Sequence, residues 1–151
     1  MSLDIDTLMD KITSHAQATG LFDQVTGHEP KNAPGNGLTA AVWLGEVEPI
    51  EASSVVSASV VVVFNVRLYS SFLSDPYDAI DPNLVKALDT LVTAYCGDFE
   101  LGGNARNIDI FGSSGYKLKS TPGYVNQDNK LYRVFVITVP VIINDVWAES
   151  A

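Results

Sequence analysis

Two histidines, one cysteine and eighteen carboxylates are the side chains with which this chain could do chemistry. His28 stands beside Glu29, a combination that suggests an acid–base pair or half of a metal site. Adjacent residues on an extended chain point apart, so the pair reads as structural. His15 has no ligand-type residue four positions before or after it and lies near an apolar helical stripe. It reads as a half-buried surface histidine. Glu48 and Glu51 flank Pro49 as a catalytic dyad might be spaced, but acids around a turn are the commoner case. Asp75, Asp78 and Asp81 fit no calcium loop, because the glycine at which such a loop turns is missing. Gly102-Gly103 is not followed by the Lys-Ser/Thr of a phosphate-binding loop. Gly112-Ser113-Ser114-Gly115 is not a nucleophile elbow, and no histidine follows it, which excludes a hydrolase of order Ser…Asp…His. Cys96 falls at a helix C-terminus, where a thiolate is disfavoured. The expectation is no catalytic residue, no metal site and no cofactor.

Composition narrows the class further. A chain of 151 residues reads as one domain with one sizeable core. Apolar residues at 46% and charged residues at 18% fit a globular rather than a disordered protein. A formal net charge of −9 argues against binding nucleic acid through its phosphates, and against an anionic membrane surface. The lone cysteine excludes an internal disulfide. The acidic opening Met1-Ser2-Leu3-Asp4-Ile5-Asp6 is unlike a secretory signal, and the longest apolar run, Val134 to Ile143, is too short to span a bilayer as a helix. These features predict a soluble, acidic, intracellular chain.

The elements are organised around Val56 to Leu68. Every second residue there is apolar (Val56, Ala58, Val60, Val62, Phe64, Val66, Leu68), which predicts a long strand with one buried and one mixed face. Leu3 to Ala18 has helical spacing, with Ser2 as the expected N-cap and Gly20 as the stop. A short strand is expected at Leu21–Thr26 and a second strand at Leu38–Val47, ending in Glu46-Val47-Glu48-Pro49. Pro82 to Cys96 is a second helix with Leu84, Val85, Leu88, Leu91, Val92 and Tyr95 on one face. Asp81 before Pro82 reads as its N-cap, so Asp81→Ala would cost roughly 1 kcal/mol. Further strands are expected at Asn107–Phe111 and Leu131–Ile143, with a polar extended segment at 116–126 and a turn at 126–129. The last strand reads as interior, kinked or at an edge where Pro140 cannot donate. Helix, strands, helix, strands with short links imply an α+β fold, a mixed and mostly antiparallel sheet with two helices against it.

Four stretches carry a resemblance: His28-Glu29-Pro30-Lys31-Asn32-Ala33-Pro34-Gly35 with Leu38-Thr39-Ala40-Ala41-Val42-Trp43; Asp78-Ala79-Ile80-Asp81-Pro82; Gly97-Asp98-Phe99-Glu100-Leu101-Gly102-Gly103; and Gly123 to Asp128 running on to Leu131-Tyr132-Arg133 and Asn144-Asp145-Val146-Trp147. In wording and element order they resemble the tail terminator proteins of bacteriophages with long non-contractile tails (siphoviruses), especially those infecting actinobacteria. None of the stretches contains chemistry. The resemblance implies a virion protein of the tail–neck junction, assembled in the host cytoplasm. It implies a homo-hexameric ring that ends polymerisation of the tail tube protein and meets a neck or head-completion protein, with DNA passing through the lumen unbound. Ring interfaces need edges and loops that reach a neighbour. Segments 27–37 and 112–127 are the candidates, with His28, Glu29, Pro30, Lys31, Tyr116, Lys117, Tyr124 and Trp147 as candidate contacts. The alternatives are another neck, head-closure or tail-tube subunit or, in a different class, a small-ligand-binding domain.

Overall fold

The computed structural model describes residues 3–28, 38–52, 57–71 and 80–148. Its elements, in chain order, are α1 (Ile5–Ala18), β1 (Gln24–Thr26), β2 (Thr39–Ala52), β3 (Ser57–Ser71), α2 (Ile80–Gly97), β4 (Asn107–Ile108), β5 (Lys119–Gln127) and β6 (Lys130–Ala148). They form one six-stranded sheet in the order β1-β2-β3-β6-β4, with β5 also paired to β6. Among the described residues only the β1–β2 pair is parallel. The fold is α+β, as the pattern of elements implies.

β3 lies at the centre of the sheet, as its alternation predicts. Val60, Val62, Phe64, Val66 and Leu68 are wholly buried and pack against Leu8, Ile12 and Ala16 of α1 and Leu84, Ala87, Leu91 and Tyr95 of α2. Both helices therefore cover the same face. The other face of β3 is more buried than its mixed composition suggests. Ser59, Val61 and Tyr69 are also closed to solvent, Tyr69 and Val61 each in a smaller apolar cluster. Val56 lies outside the described residues.

Several boundaries and caps differ from expectation. The N-cap of α1 is Asp4, whose carboxylate accepts from the Thr7 amide at 3.3 Å and the Thr7 hydroxyl at 2.7 Å; Ser2 lies outside the described residues. On α2 the inward stripe takes Ala87, whereas Val85 is 46% exposed. Asp81 is not the cap of α2 but lies inside its first turn. Its carboxylate receives two bonds from the Arg133 guanidinium, at 2.9 and 3.3 Å, which tie α2 to β6. Asp81 is largely exposed, so Asp81→Ala should cost less than about 1 kcal/mol, through that pair rather than through a cap. Urea denaturation of Asp81→Ala and Arg133→Ala, singly and together, separates the two accounts: a lost pair gives non-additive changes, a lost cap additive ones. Tyr95 fastens the helices to each other, its buried hydroxyl donating to the Ile12 carbonyl at 3.0 Å. Burial pushes that phenol well above its ordinary pKa.

β2 continues through Glu48-Pro49 to Ala52 instead of ending there, with two irregularities of register, at Leu44/Glu46 and Pro49/Glu51. β6 is interior, as expected, and runs on to Ala148. Pro140 sits where its outer neighbour changes from β5, which pairs as far as Thr138, to β4, which begins at Val141. Its carbonyl accepts from Asp109 on that side. The nitrogen that cannot donate faces the same gap, so no ladder bond to β3 is lost.

Candidate interaction site

The most elaborated surface lies on the sheet face away from the helices, where the β4–β5 connection folds back over β6 and β3. Asp109 organises it. Its side chain is buried, and one carboxylate oxygen accepts from the amides of Gly112 (3.0 Å) and Ser113 (3.1 Å) while the other accepts from Ser114 (2.7 Å). The Ser113 hydroxyl adds a fourth bond at 3.3 Å. Burial alone would raise this carboxyl's pKa. The Ser114, Gly112 and Ser113 bonds outweigh it and hold the group below the usual aspartate range. Gly112, at φ +92°, supplies the reversal this turn needs.

The fixed loop presents two aromatic rings in opposite ways. Phe111, at its tip, is 93% exposed. Tyr116, on the returning limb, packs down on Val61, Val63 and Ile142. Its hydroxyl donates to the carboxylates of both Glu46 and Glu48, at 3.1 Å from the latter. Those hydrogen bonds, Glu46 first, together with partial burial, raise the phenol's pKa. Between Phe111, Tyr116, Lys117, Lys119 and Thr138 lies an open depression of about 240 Å³. The two exposed lysines at its rim stand out on a chain of net charge −9.

Gly45 is what brings the two glutamates here. Upstream of it Ala40 and Val42 face the helices, while Trp43 faces outward with Ala41, Tyr69 and Tyr132. The irregularity at Gly45 shifts the alternation by one residue. Val47 then turns to the helices, and Glu46, Glu48 and Ile50 turn outward under Tyr116.

The sequence-selected residues do not gather in one place. Tyr116 and Lys117 share the loop just described. Tyr124 lies on the opposite face of the sheet, 59% exposed, with the Arg133 guanidinium 4.5 Å from its ring centre. Trp147, paired with Ala58, is at the far end of β6. Simple alternation from Val139, Val141 and Ile143 would turn Trp147 inward. A bulge with Asp145 at φ +55° sends Val146 into the core instead and leaves the indole 42% exposed. His28 follows β1, exposed, its carbonyl accepting from the Thr26 hydroxyl at 3.2 Å. Glu29, Pro30 and Lys31 lie outside the described residues, as do Asp75 and Asp78.

His15 proves to have a distant partner. Its Nε2 is 2.8 Å from the Asp98 carboxylate, and its ring meets that of Tyr95 edge-on. Asp98 also accepts from the Gly102 amide at 2.9 Å. These contacts, Gly102 first and His15 next, hold the Asp98 carboxyl below its usual range. They latch the end of α2 to α1, a structural role. Among the described residues no cluster of three or more His, Cys, Asp or Glu is placed to hold a metal ion. No helix among them is long and apolar enough to cross a membrane. No protein-family model matches this chain, and no curated protein does either.

Proposed function

We propose that this chain is an assembly subunit of a bacteriophage tail, whose copies form a ring that ends growth of the tail tube and offers a face to the neck. The observation that carries the reading is Phe111. A phenyl ring 93% exposed, on a loop fixed by four bonds to a buried carboxylate, is a side chain presented rather than stored. Ordering such a loop in advance removes an entropic cost of association, and aromatic anchors commonly dominate binding surfaces. The resemblance to tail terminators supplies the kind of partner, namely the end of a tail tube. The acidic balance of the chain suits a conduit through which DNA must slide without sticking. The depression beside Phe111, about 240 Å³, falls below the roughly 300–1,000 Å³ of typical small-molecule pockets, which favours a macromolecular partner.

The test is tube growth. Tail-tube subunits from the same phage, polymerised with this protein, should give shorter tubes that carry a ring at one end under the electron microscope. Phe111→Ala should leave the thermal midpoint unchanged, because the ring is exposed, and should restore long tubes. Unaltered tube length with the native protein would refute the reading.

A further inference from the structure

The two outer edges of the sheet differ in charge, and among the described residues each is unpaired over a comparable length. On one side β1 pairs only with Thr39–Ala41, so from Leu44 to Ala52 no described strand lies beside β2. On the other side β5 bonds to β6 along one edge, and no described strand pairs with its second edge. Open strand edges are templates for another chain. The β2 edge carries Glu46 and Glu48 on the outer face, under Tyr116. The β5 edge carries Lys119 on that same face, since Lys119 is paired with Thr138. Exposed apolar groups also match on the helix-side face, with Leu44 (42% exposed) on β2 and Pro122 on β5.

We infer that copies of this chain join head to tail by adding the β5 edge of one to the open β2 edge of the next, antiparallel, with Lys119 across from Glu48. β5 runs antiparallel to β6, β6 to β3, and β3 to β2. A neighbouring β2 in the same orientation therefore meets β5 antiparallel. From Lys119–Glu48 the register sets Thr121 across from Glu46. The irregularity at Gly45 then brings Pro122 opposite Leu44, with paired residues on matching faces; Pro122 has no N–H, so the ladder bond at that pair runs from the Leu44 amide to the Pro122 carbonyl. Pairing stops where β1 already occupies β2, so the existing fold limits the overlap to about five residues. An oppositely charged pair directly across such a ladder favours this register over its neighbours. Because the two edges are different surfaces, the contact is heterologous, and it closes into a ring where the rotation from one copy to the next divides a full turn. The inference rests on the ring reading for the closure, and names the surface that makes it.

Disulfide trapping tests it. Glu48→Cys and Lys119→Cys are placed together in a Cys96→Ser background. Within one chain these positions are separated by three strand spacings across the sheet, roughly 14 Å before their offset along the strands is added, too far for a disulfide. Any bond between them joins two molecules. Mild oxidation of the concentrated protein should give a ladder of covalent oligomers, at least tenfold more abundant than from either single-cysteine variant. Leu44→Cys with Pro122→Cys is a second pair that leaves both charges in place, should the first fold poorly. A ladder from either pair supports the edge contact. Oligomers no more abundant than those of the single-cysteine variants, with both pairs, would overturn it. A ladder from a protein that leaves tube length unchanged would keep this surface and remove the tube-capping role.

Discussion

Asp109→Ala is expected to lower stability by about 2–3 kcal/mol and to unfix the whole 109–116 loop. The carboxylate is buried and accepts four hydrogen bonds, three from backbone amides. Removing it leaves those donors without their acceptor, and each such loss costs roughly 1–3 kcal/mol where water cannot reach. Ser113 is exposed and its amide can turn to solvent, which keeps the sum below three full penalties. The effect should travel past the loop. Tyr116 is carried by the same turn, and it covers Val61, Val63 and Ile142. Hydrogen exchange should therefore rise at 110–117 and in β3 around Val61 and Val63, while α1 and α2 keep their protection. Asp109→Asn supplies the charge control. The folded carboxyl is held below the ordinary aspartate value of about 3.9. Its contribution is then fully present above that value and is lost as pH falls through the lower folded one. Between pH 5 and 8 the native protein should keep that advantage over Asp109→Asn, and the gap should narrow as pH falls below the ordinary aspartate value. A constant gap across that range would show that the charge of Asp109 contributes nothing.

Period-two and period-3.6 patterns made the framework legible, because burial imposes them directly on the sequence. β3, the last strand and both helices follow from apolar spacing alone, and so does the helical cover over the Val60–Leu68 file. The interruptions of that spacing were not legible. β2 was expected to stop at Glu48-Pro49, since an acidic, proline-broken stretch offers no pattern, yet an edge strand tolerates both. The half-exposed setting of Trp147 is not legible because nothing in Asn144-Asp145 announces a bulge. The Asp81 cap failed for a different reason. A carboxylate before proline satisfies the local rule, but the cap is set by where the chain enters the helix, and an arginine 52 residues away claimed the side chain. Asp109 had a signal that could have been used. An aspartate closing a strand ahead of Gly-Ser-Ser-Gly is the chemistry of a side chain folding its own following amides into a turn. The His15–Asp98 and Tyr116–Glu46 links had none, since partners 83 and 70 residues apart are joined only by the tertiary fold.

Gly45→Val should destabilise the protein by about 1–3 kcal/mol, the usual cost of extra atoms that press on fixed neighbours. The reason is room rather than backbone freedom. A Cβ at position 45 would sit 2.7 Å from Asn65 Nδ2 and 3.2 Å from the Val63 carbonyl oxygen. The first contact can be relieved, because the Asn65 amide is the end of a flexible side chain. The second cannot, because Val63 belongs to the central strand and pairs with Glu46 and Pro140 on its two sides. Gly45→Ala combined with Asn65→Ala tells the two apart in urea denaturation. If the carbonyl decides, the double variant regains only part of what Gly45→Ala loses; full recovery would place the whole cost on the Asn65 amide. The strand has one other way to escape the clash, which is to straighten the bulge. Alternation would then carry on from Trp43, turning Glu46 and Glu48 toward the apolar helix face and Val47 out. Two carboxylates against a dry core cost far more than the crowding does. The bulge should therefore hold in Gly45→Val and the ladder beside it should loosen, with faster amide exchange in β2 from Leu44 to Glu48 and the Tyr116 hydroxyl still on its two acceptors. Gly45→Val within about 0.5 kcal/mol of the native protein would mean that the space at the bulge is not limiting.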